Sequence, residues 1–166
     1  IFDYIRLLYS RIGVTYSPKT NKIVKKDTIK DVLDYLKSQK VNSKFIITCK
    51  PKILENNKSN LIKKLLSQGY ANGYMNKQVL KLSEIKEENI EDFELVIERV
   101  KINSNINAVS NLADSVEIAF FEGNGKCNLI NLSNYKKISF SNNFERDQII
   151  FPEPNDQFFS FNNPYG

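Results

Sequence analysis

Four consecutive residues, Gly123-Asn124-Gly125-Lys126, come nearest in this sequence to a catalytic motif, because a lysine that follows two glycines can bind phosphate. In a phosphate-binding loop the glycines follow a strand and open a helix, whose first amides point at the phosphate. Here a helical pattern precedes the glycines and a strand pattern follows them. The segment is therefore interpreted as a turn that ends a helix or joins a hairpin.

Carboxylates and thiols are the other candidates for chemistry. Two of the acidic residues between Glu84 and Glu98 could act as general acid and general base, but no pocket signature accompanies them, and a solvated acidic edge is favoured. The chain has no histidine, which is the commonest general base and metal ligand. Cys49 and Cys127 each lie in an apolar run, so buried free thiols are expected rather than a disulfide or a reactive thiol.

The basic residues alone do not identify a partner. A formal net charge of +5 is mild for 166 residues. Lysines dominate from Lys19 to Lys64 and carboxylates from Glu84 to Glu98, which predicts one basic and one acidic surface, although solubility alone would explain both. Tyr70, Tyr74 and Lys77 combine aromatic and basic side chains that can stack on single-stranded bases, but core and turn tyrosines explain them equally well.

Hydrophobic periodicity predicts the elements that position these residues. Thr28 followed by Asp31 indicates the capped start of a helix, and the apolar run before Pro51 indicates a strand near the centre of a sheet. Asn107 or a neighbour is expected to cap a later helix. Helices are predicted at 2–12, after Thr28, at 59–68 and after Asn107, and strands at 44–50, near Tyr74, at 79–82, 93–102, 126–132 and 136–140.

The order of these elements predicts an α+β domain, a mixed β-sheet covered by helices, over residues 25–140. Residues 1–24 are interpreted as a flanking helix and linker, and residues 141–166 as a return segment. No apolar stretch approaches the roughly 18 to 20 residues of a membrane span, and no signal peptide opens the chain, so a cytoplasmic location is expected. Because an amphipathic helix begins directly after Ile1, the chain is expected to be part of a longer protein.

Four segments, in order, resemble the UvrA family of the bacterial UvrABC excinuclease. IFDYIRLLYSRIG at residues 1–13 is similar to the I/Y-DYLRLL-ARxG segment that follows the family's first ATP-binding half-site. VIERV at 96–100 and LADSVE at 112–117 are similar to its VVDR strand and its LADS helix segment. FSFNNPYG at 159–166 is similar to its LFSFNNPxG.

The resemblance implies a docking role and no catalysis by this chain. In that family the region is inserted in the N-terminal ATP-binding domain, and its central part binds UvrB during nucleotide excision repair. The parent protein would be a homodimeric ATPase that surveys DNA and carries ATP and zinc. This part of it is expected to bind no cofactor.

The resemblance also implies a set of partner-binding residues. Arg99 aligns with an arginine on the family's UvrB-facing surface, and its late position on an apolar strand predicts a recessed guanidinium that binds carboxylates; a solvated strand-end charge is the alternative. GYANGY at 69–74 aligns with GYVRVR, whose arginines are replaced by Asn72 and Tyr74. Together with Tyr70 and Lys101, these residues form the predicted site.

The chain departs from the family at a zinc-binding segment. After FSNNF at residues 140–144, many members have CPxCG, half of a four-cysteine zinc site. This chain has Glu145, Arg146, Asp147 and Gln148 there. With no thiolate or imidazole to replace the cysteines, no structural zinc is expected in the segment.

Two functions from different classes follow. The leading hypothesis is a UvrB-docking patch around Arg99 and the Gly69–Met75 turn, with lysines that raise the association rate. The alternative is a DNA-contacting surface on the Lys19–Lys64 face, which predicts DNA binding that weakens steeply with salt. A free-standing enzyme has no motif in its support.

Overall fold

The structure, a computed structural model, describes residues 2–52, 58–103, 112–147 and 149–155. The chain forms two compact units. The larger comprises residues 27–142, and the smaller combines residues 1–26 with residues 143–166.

The larger unit contains a six-stranded sheet with the order β3-β2-β4-β1-β5-β6. Its strands are β1 (Lys44–Cys49), β2 (Asn72–Met75), β3 (Gln78–Lys81), β4 (Glu94–Lys101), β5 (Lys126–Asn131) and β6 (Lys137–Ser141). Every neighbouring pair is antiparallel. The predicted α+β class is confirmed, and the predicted mixed sheet is wrong.

The antiparallel arrangement arises from the strand order. Helical connections usually join parallel strands, and here β1 and β2, like β4 and β5, are joined through helices. In each case another strand lies between them, because β4 separates β1 from β2 and β1 separates β4 from β5. The parallel strands are therefore never neighbours, which the order of elements along the sequence does not reveal.

In the described part of the larger unit, three helices pack on one face of this sheet. They are α2 (Ile29–Lys37), α3 (Lys58–Ser67) and α4 (Ala113–Glu122), preceded along the chain by α1 (Phe2–Ile12) of the smaller unit. Their buried side chains join those of the strands in one core, with Val32, Leu36, Leu61, Leu65, Val116, Ala119 and Phe120 from the helices. Burial of each large apolar side chain contributes about 1.5 to 3 kcal/mol, so this core supplies most of the stabilisation.

Strand β1 lies at the centre of the sheet, as its composition predicted. It pairs with β4 on one side and with β5 on the other, and all of its residues after Lys44 are buried. Such burial on both faces suits a strand made of β-branched and aromatic residues.

Over the stretch in which they pair, strand β4 contains one residue more than β1. Ile47 of β1 pairs with Glu98, and the next residue, Thr48, pairs with Val96. Ile97 is therefore the extra residue of a β-bulge, which bends the strand and increases its local twist.

This bulge breaks the regular alternation of side chains along β4. Regular alternation would place Val100 and Ile102 on the opposite face from Leu95. Both lie instead in the same helix-covered core as Leu95. Arg99 and Lys101, the two neighbours of Val100 along the chain, are turned to the other face for the same reason.

Local signals at the helix ends agree with the structure. The Thr28 hydroxyl accepts a hydrogen bond from the Asp31 amide at 3.2 Å, and the Asp31 carboxylate accepts one from the Thr28 amide at 2.7 Å, which completes a capping box. Gly69, after α3, adopts a φ of +93°, which favours glycine. Asn107, the predicted cap of the last helix, lies outside the described residues.

The smaller unit contains α1, none of whose described residues is buried. It also contains a hairpin of β7 (Glu145–Arg146) and β8 (Ile149–Ile150), and an isolated bridge between Tyr16 and Ile23. Among the helices that the structure describes, none has the length and apolarity to cross a membrane.

Replacing Thr28 tests the capping box. We expect Thr28→Ala to lower the free energy of unfolding by about 1 kcal/mol, because an amide in the first turn of α2 loses its acceptor. Urea denaturation followed by circular dichroism measures the change. Thr28→Ser keeps the hydroxyl and is the control; equal losses in the two variants would contradict a capping role.

Candidate functional site

The sheet face opposite α2, α3 and α4 is the candidate site, and we call it the open face. Ile46, Val96 and Ile130 form a small buried cluster at its centre. Partly buried side chains pack around this cluster: Tyr74, Val79 and Leu132. Among the described residues, the buried side chains of the three helices all belong to the other core. Within the described residues, the sheet therefore presents one face covered by helices and a second face on which no helix packs.

A carboxylate lies at the centre of a polar network on the open face. The Glu94 side chain is only 15% exposed, and its Oε1 forms an ion pair with the Lys137 ammonium. Its Oε2 accepts hydrogen bonds from Thr48 Oγ1 at 2.6 Å and from Asn128 Nδ2 at 3.1 Å. A desolvated carboxylate is tolerated when charged and neutral donors satisfy its oxygens. The network links four strands, because its members lie on β4, β1, β5 and β6.

Contacts across the open face show that the sheet curves towards it. Lys137 reaches Glu94 although β6 is three strands from β4, about 14 Å away in a flat sheet. Lys77, in the β2–β3 turn, places its Nζ 5.6 Å from the ring centroid of Tyr135, in the β5–β6 turn. The two hairpin turns thus meet over the sheet, as the twist of neighbouring strands allows.

Tyr74 lies beneath these turns. Burial, followed by the negative charge of Glu94 and the proximity of Tyr135, raises the pKa of Tyr74 above its ordinary value. Its phenol therefore stays neutral at physiological pH and can donate or accept a hydrogen bond without a charge penalty.

Four of the five residues predicted to bind a partner lie on the open face. Tyr74 pairs with Glu94, and Asn72, two residues earlier on β2, shares its face. Arg99 pairs with Ile46 of the open-face cluster, and Lys101 lies two residues beyond Arg99 on the same strand. The sequence reasoning that selected these residues could not show that they share a face.

Tyr70 does not join the other four. Its ring packs against the helix-covered core, and its hydroxyl donates a hydrogen bond to Oε1 of Glu122 on α4 at 3.3 Å. Burial, and then the charge of Glu122 and this hydrogen bond, raise the pKa of Tyr70 to about 12. Tyr70 therefore stabilises the contact between α4 and its neighbours.

Three cations form one corner of the open face, which we call the basic corner: Lys44, Arg99 and Lys101. All three residues are exposed, so the Arg99 guanidinium is accessible rather than recessed as predicted. Lys44 and Lys101 pair directly across β1 and β4. Like charges in that position destabilise a sheet. In the described part of the chain, no carboxylate lies within ion-pair distance of these three side chains.

Sequence reasoning missed Lys44 and the network around Glu94. Lys44 opens a strand that is otherwise buried, which resembles an ordinary solvated end. Thr48 and Asn128 did carry a signal, because both are polar residues in strands that are otherwise buried, and buried polar groups need partners. Only the strand order showed which partner they share.

The lysines between Lys19 and Lys64 do not form one surface. Within the larger unit, Lys44 lies on the open face, whereas Lys30 and Lys63 lie on helices α2 and α3, which cover the opposite face. Within the larger unit, the lysines of the stretch that the sequence singled out therefore lie on both sides of the sheet.

Both cysteines are free and fully buried, as expected. They lie in the helix-covered core. Burial, with smaller effects of neighbouring charges, raises the pKa of the Cys49 thiol well above its ordinary range, and burial raises the pKa of Cys127 to about 12. Neither thiol is available as a nucleophile or a metal ligand at physiological pH.

The segment that resembles the family's zinc-binding stretch carries two carboxylates, Glu145 and Asp147, and no cysteine or histidine. One of these carboxylates, Asp147, accepts hydrogen bonds from Thr20 Oγ1 at 2.6 Å and from the Ser17 hydroxyl. These two hydrogen bonds lower the pKa of Asp147 below its ordinary value. Across the described residues, no three His, Cys, Asp or Glu side chains cluster in a way that could hold a metal ion.

Comparison with known proteins identifies the class of this module. A family model described as the UvrA interaction domain matches residues 27–133, which cover the sheet and its helices as far as the β5–β6 turn. Along its whole length the chain is 34% identical to the UvrABC system protein A of Malacoplasma penetrans (strain HF-2). It is 31% identical to the protein of the same name from Clostridium tetani (strain Massachusetts / E88). The chain therefore belongs to the UvrA family, and it spans 18% of the length of these relatives.

Removing the central carboxylate tests the polar network. We expect Glu94→Ala to lower the free energy of unfolding by about 2 to 4 kcal/mol, because the buried donors of Thr48 and Asn128 lose their acceptor. Denaturant titration measures the loss. Glu87→Ala, which removes an exposed carboxylate from a 3₁₀ turn, is the control and should change stability by less than about 0.5 kcal/mol. Similar losses in both variants would contradict the network.

Proposed function

We propose that the open face docks UvrB, and that the chain acts as the UvrB-binding module of a UvrA protein in bacterial nucleotide excision repair. The observation that carries the proposal is the basic corner. Two of its cations pair directly across the sheet and none has a carboxylate partner among the described residues. A partner that supplies carboxylates relieves this repulsion. The relief makes the free energy of binding more favourable.

The rest of the open face supports a protein partner. Tyr74, Val79 and Leu132 provide partly buried side chains around the buried apolar cluster, and Asn72 provides an uncharged hydrogen-bonding group. Protein interfaces commonly combine aromatic anchors, an arginine and a polar rim in this way. The family match to an interaction domain supports the same conclusion.

A DNA-contacting role for the same cations is the second candidate. Phosphate could neutralise Arg99 and Lys101 as a carboxylate does. It is weaker because the three cations occupy one corner and the lysines of α2 and α3 lie on the opposite side of the sheet. Duplex binding generally uses several phosphate contacts along one surface.

We also propose that this region supplies binding rather than catalysis or cofactors. The sequence has no phosphate-binding loop, and the Phe144–Asp147 segment offers two carboxylates, Glu145 and Asp147, of which Asp147 is engaged by hydroxyls. ATP and zinc would be bound by other regions of the parent protein, which we propose is a homodimer in the bacterial cytoplasm.

Charge reversal at the basic corner tests the docking function. We expect Arg99→Glu to weaken binding of the 166-residue chain to UvrB from the same organism at least about thirtyfold, because a repelled carboxylate replaces a guanidinium at the interface. Isothermal titration calorimetry measures the dissociation constant. Lys63→Glu makes the same change of charge on α3 and should bind as the unmodified chain does.

A parallel titration with duplex DNA at the same ionic strength separates the two candidates. Saturable binding to UvrB that Arg99→Glu weakens and Lys63→Glu does not supports docking. Binding to DNA alone, with a steep salt dependence, would replace docking by the DNA-contacting role. Equal effects of the two substitutions on UvrB binding would show that net charge, rather than the basic corner, controls the affinity.

A further inference from the structure

The pairing between β2 and β4 is short and leaves part of β4 with a free edge. β2 pairs only with Glu94 and Leu95, whereas β1 pairs with β4 as far as Lys101. From Ile97 to Lys101, the edge of β4 that faces away from β1 is therefore bordered by no strand within the described residues. At about 3.4 Å per residue, this edge is roughly 17 Å long.

The peptide groups of Arg99 and Lys101 point to that free edge. The Ile102 N–H donates to the Ser43 carbonyl at 2.9 Å, so it points towards β1, and the directions of the N–H groups alternate along a strand. The Arg99 N–H donates instead to Oε1 of Glu98 at 3.0 Å. The exposed Glu98 carboxylate thus occupies the Arg99 N–H, which would otherwise donate to a carbonyl of an added strand. Charged side chains often protect the edges of sheets.

We propose that the partner adds an extended acidic segment to the free edge of β4, beside the end of β2. Main-chain hydrogen bonds to Arg99 and Lys101 would fix its register, and its alternate side chains would lie on the open face beside the basic corner. The carboxylate of Glu98 occupies the Arg99 amide until the segment replaces it. This inference rests on the proposed docking function and specifies its geometry.

Charge decides between the possible occupants of the edge. A strand from a second copy of this chain would bring its own basic corner against Lys44, Arg99 and Lys101, which is repulsive. An acidic segment neutralises the same three cations. Arg99 and Lys101 each have an N–H that points to the free edge and a cation without a carboxylate partner among the described residues, so one acidic strand can satisfy both groups.

Hydrogen exchange of individual amides in the ¹⁵N-labelled chain is the direct test. At saturation with UvrB from the same organism, we expect exchange at the Arg99 and Lys101 amides to slow at least about tenfold. The amides of β3, at the outer edge of the same sheet, are the internal control and should not change.

A pair of substitutions at one position gives an independent test. Lys101→Ala and Lys101→Pro both remove the ammonium group, but only proline removes the outward N–H and blocks strand addition. The ladder to β1 is retained, because the Lys101 N–H points away from it. We expect the proline variant to bind UvrB about tenfold more weakly than the alanine variant.

The outcomes separate this inference from the docking function. Saturable binding without slower exchange at Arg99 and Lys101, or equal affinities of the two Lys101 variants, overturns strand addition and leaves docking in place. Absence of UvrB binding by the unmodified chain overturns both. Slower exchange at the same amides on raising the concentration of the chain alone would assign the edge to a second copy. If Lys101→Pro fails to fold, the exchange measurement on the unmodified chain decides.

Discussion

The carboxylate of Glu94 is the constraint on which the open face depends. Removing such a group from water is costly, and its oxygens are satisfied by donors on three other strands, Thr48, Asn128 and Lys137. Meeting that requirement draws β6 towards β4 and curves the sheet. The curvature brings the β2–β3 and β5–β6 turns together and shelters the small apolar cluster, while the basic corner stays accessible.

The elements of this fold were largely predictable because their signals are local. The capping residues at Thr28, the stop at Gly69 and the apolar composition of β1 each act within a few residues of the chain. The antiparallel order was not predictable in the same way. It depends on an intervening strand between each pair that a helix connects, and that choice is made by contacts distant in sequence.

The candidate site was predictable in its members more than in its geometry. Resemblance selected Arg99, Lys101, Asn72 and Tyr74, and the structure places these four on one face. It also selected Tyr70, which contacts Glu122 on the helix-covered side. The side chains of successive residues in a turn point in different directions. Closeness in sequence therefore did not imply a shared surface. The Glu94 network involves partners 34 to 46 residues away, beyond the reach of any local pattern.

The bulge at Ile97 changes which side chains face the core over the whole end of β4. Because of this one extra residue, Val100 and Ile102 lie in the core. Arg99 and Lys101 lie on the opposite face of the sheet. In evolution, a single-codon deletion in this strand would therefore exchange the roles of its two faces without altering the remaining residues. If the strand were transferred between related proteins, its side chains would likewise face the correct sides only if the number of residues were kept. Its composition would matter less than its length. The surplus residue is as much a part of the recognition surface as the cations that it orients.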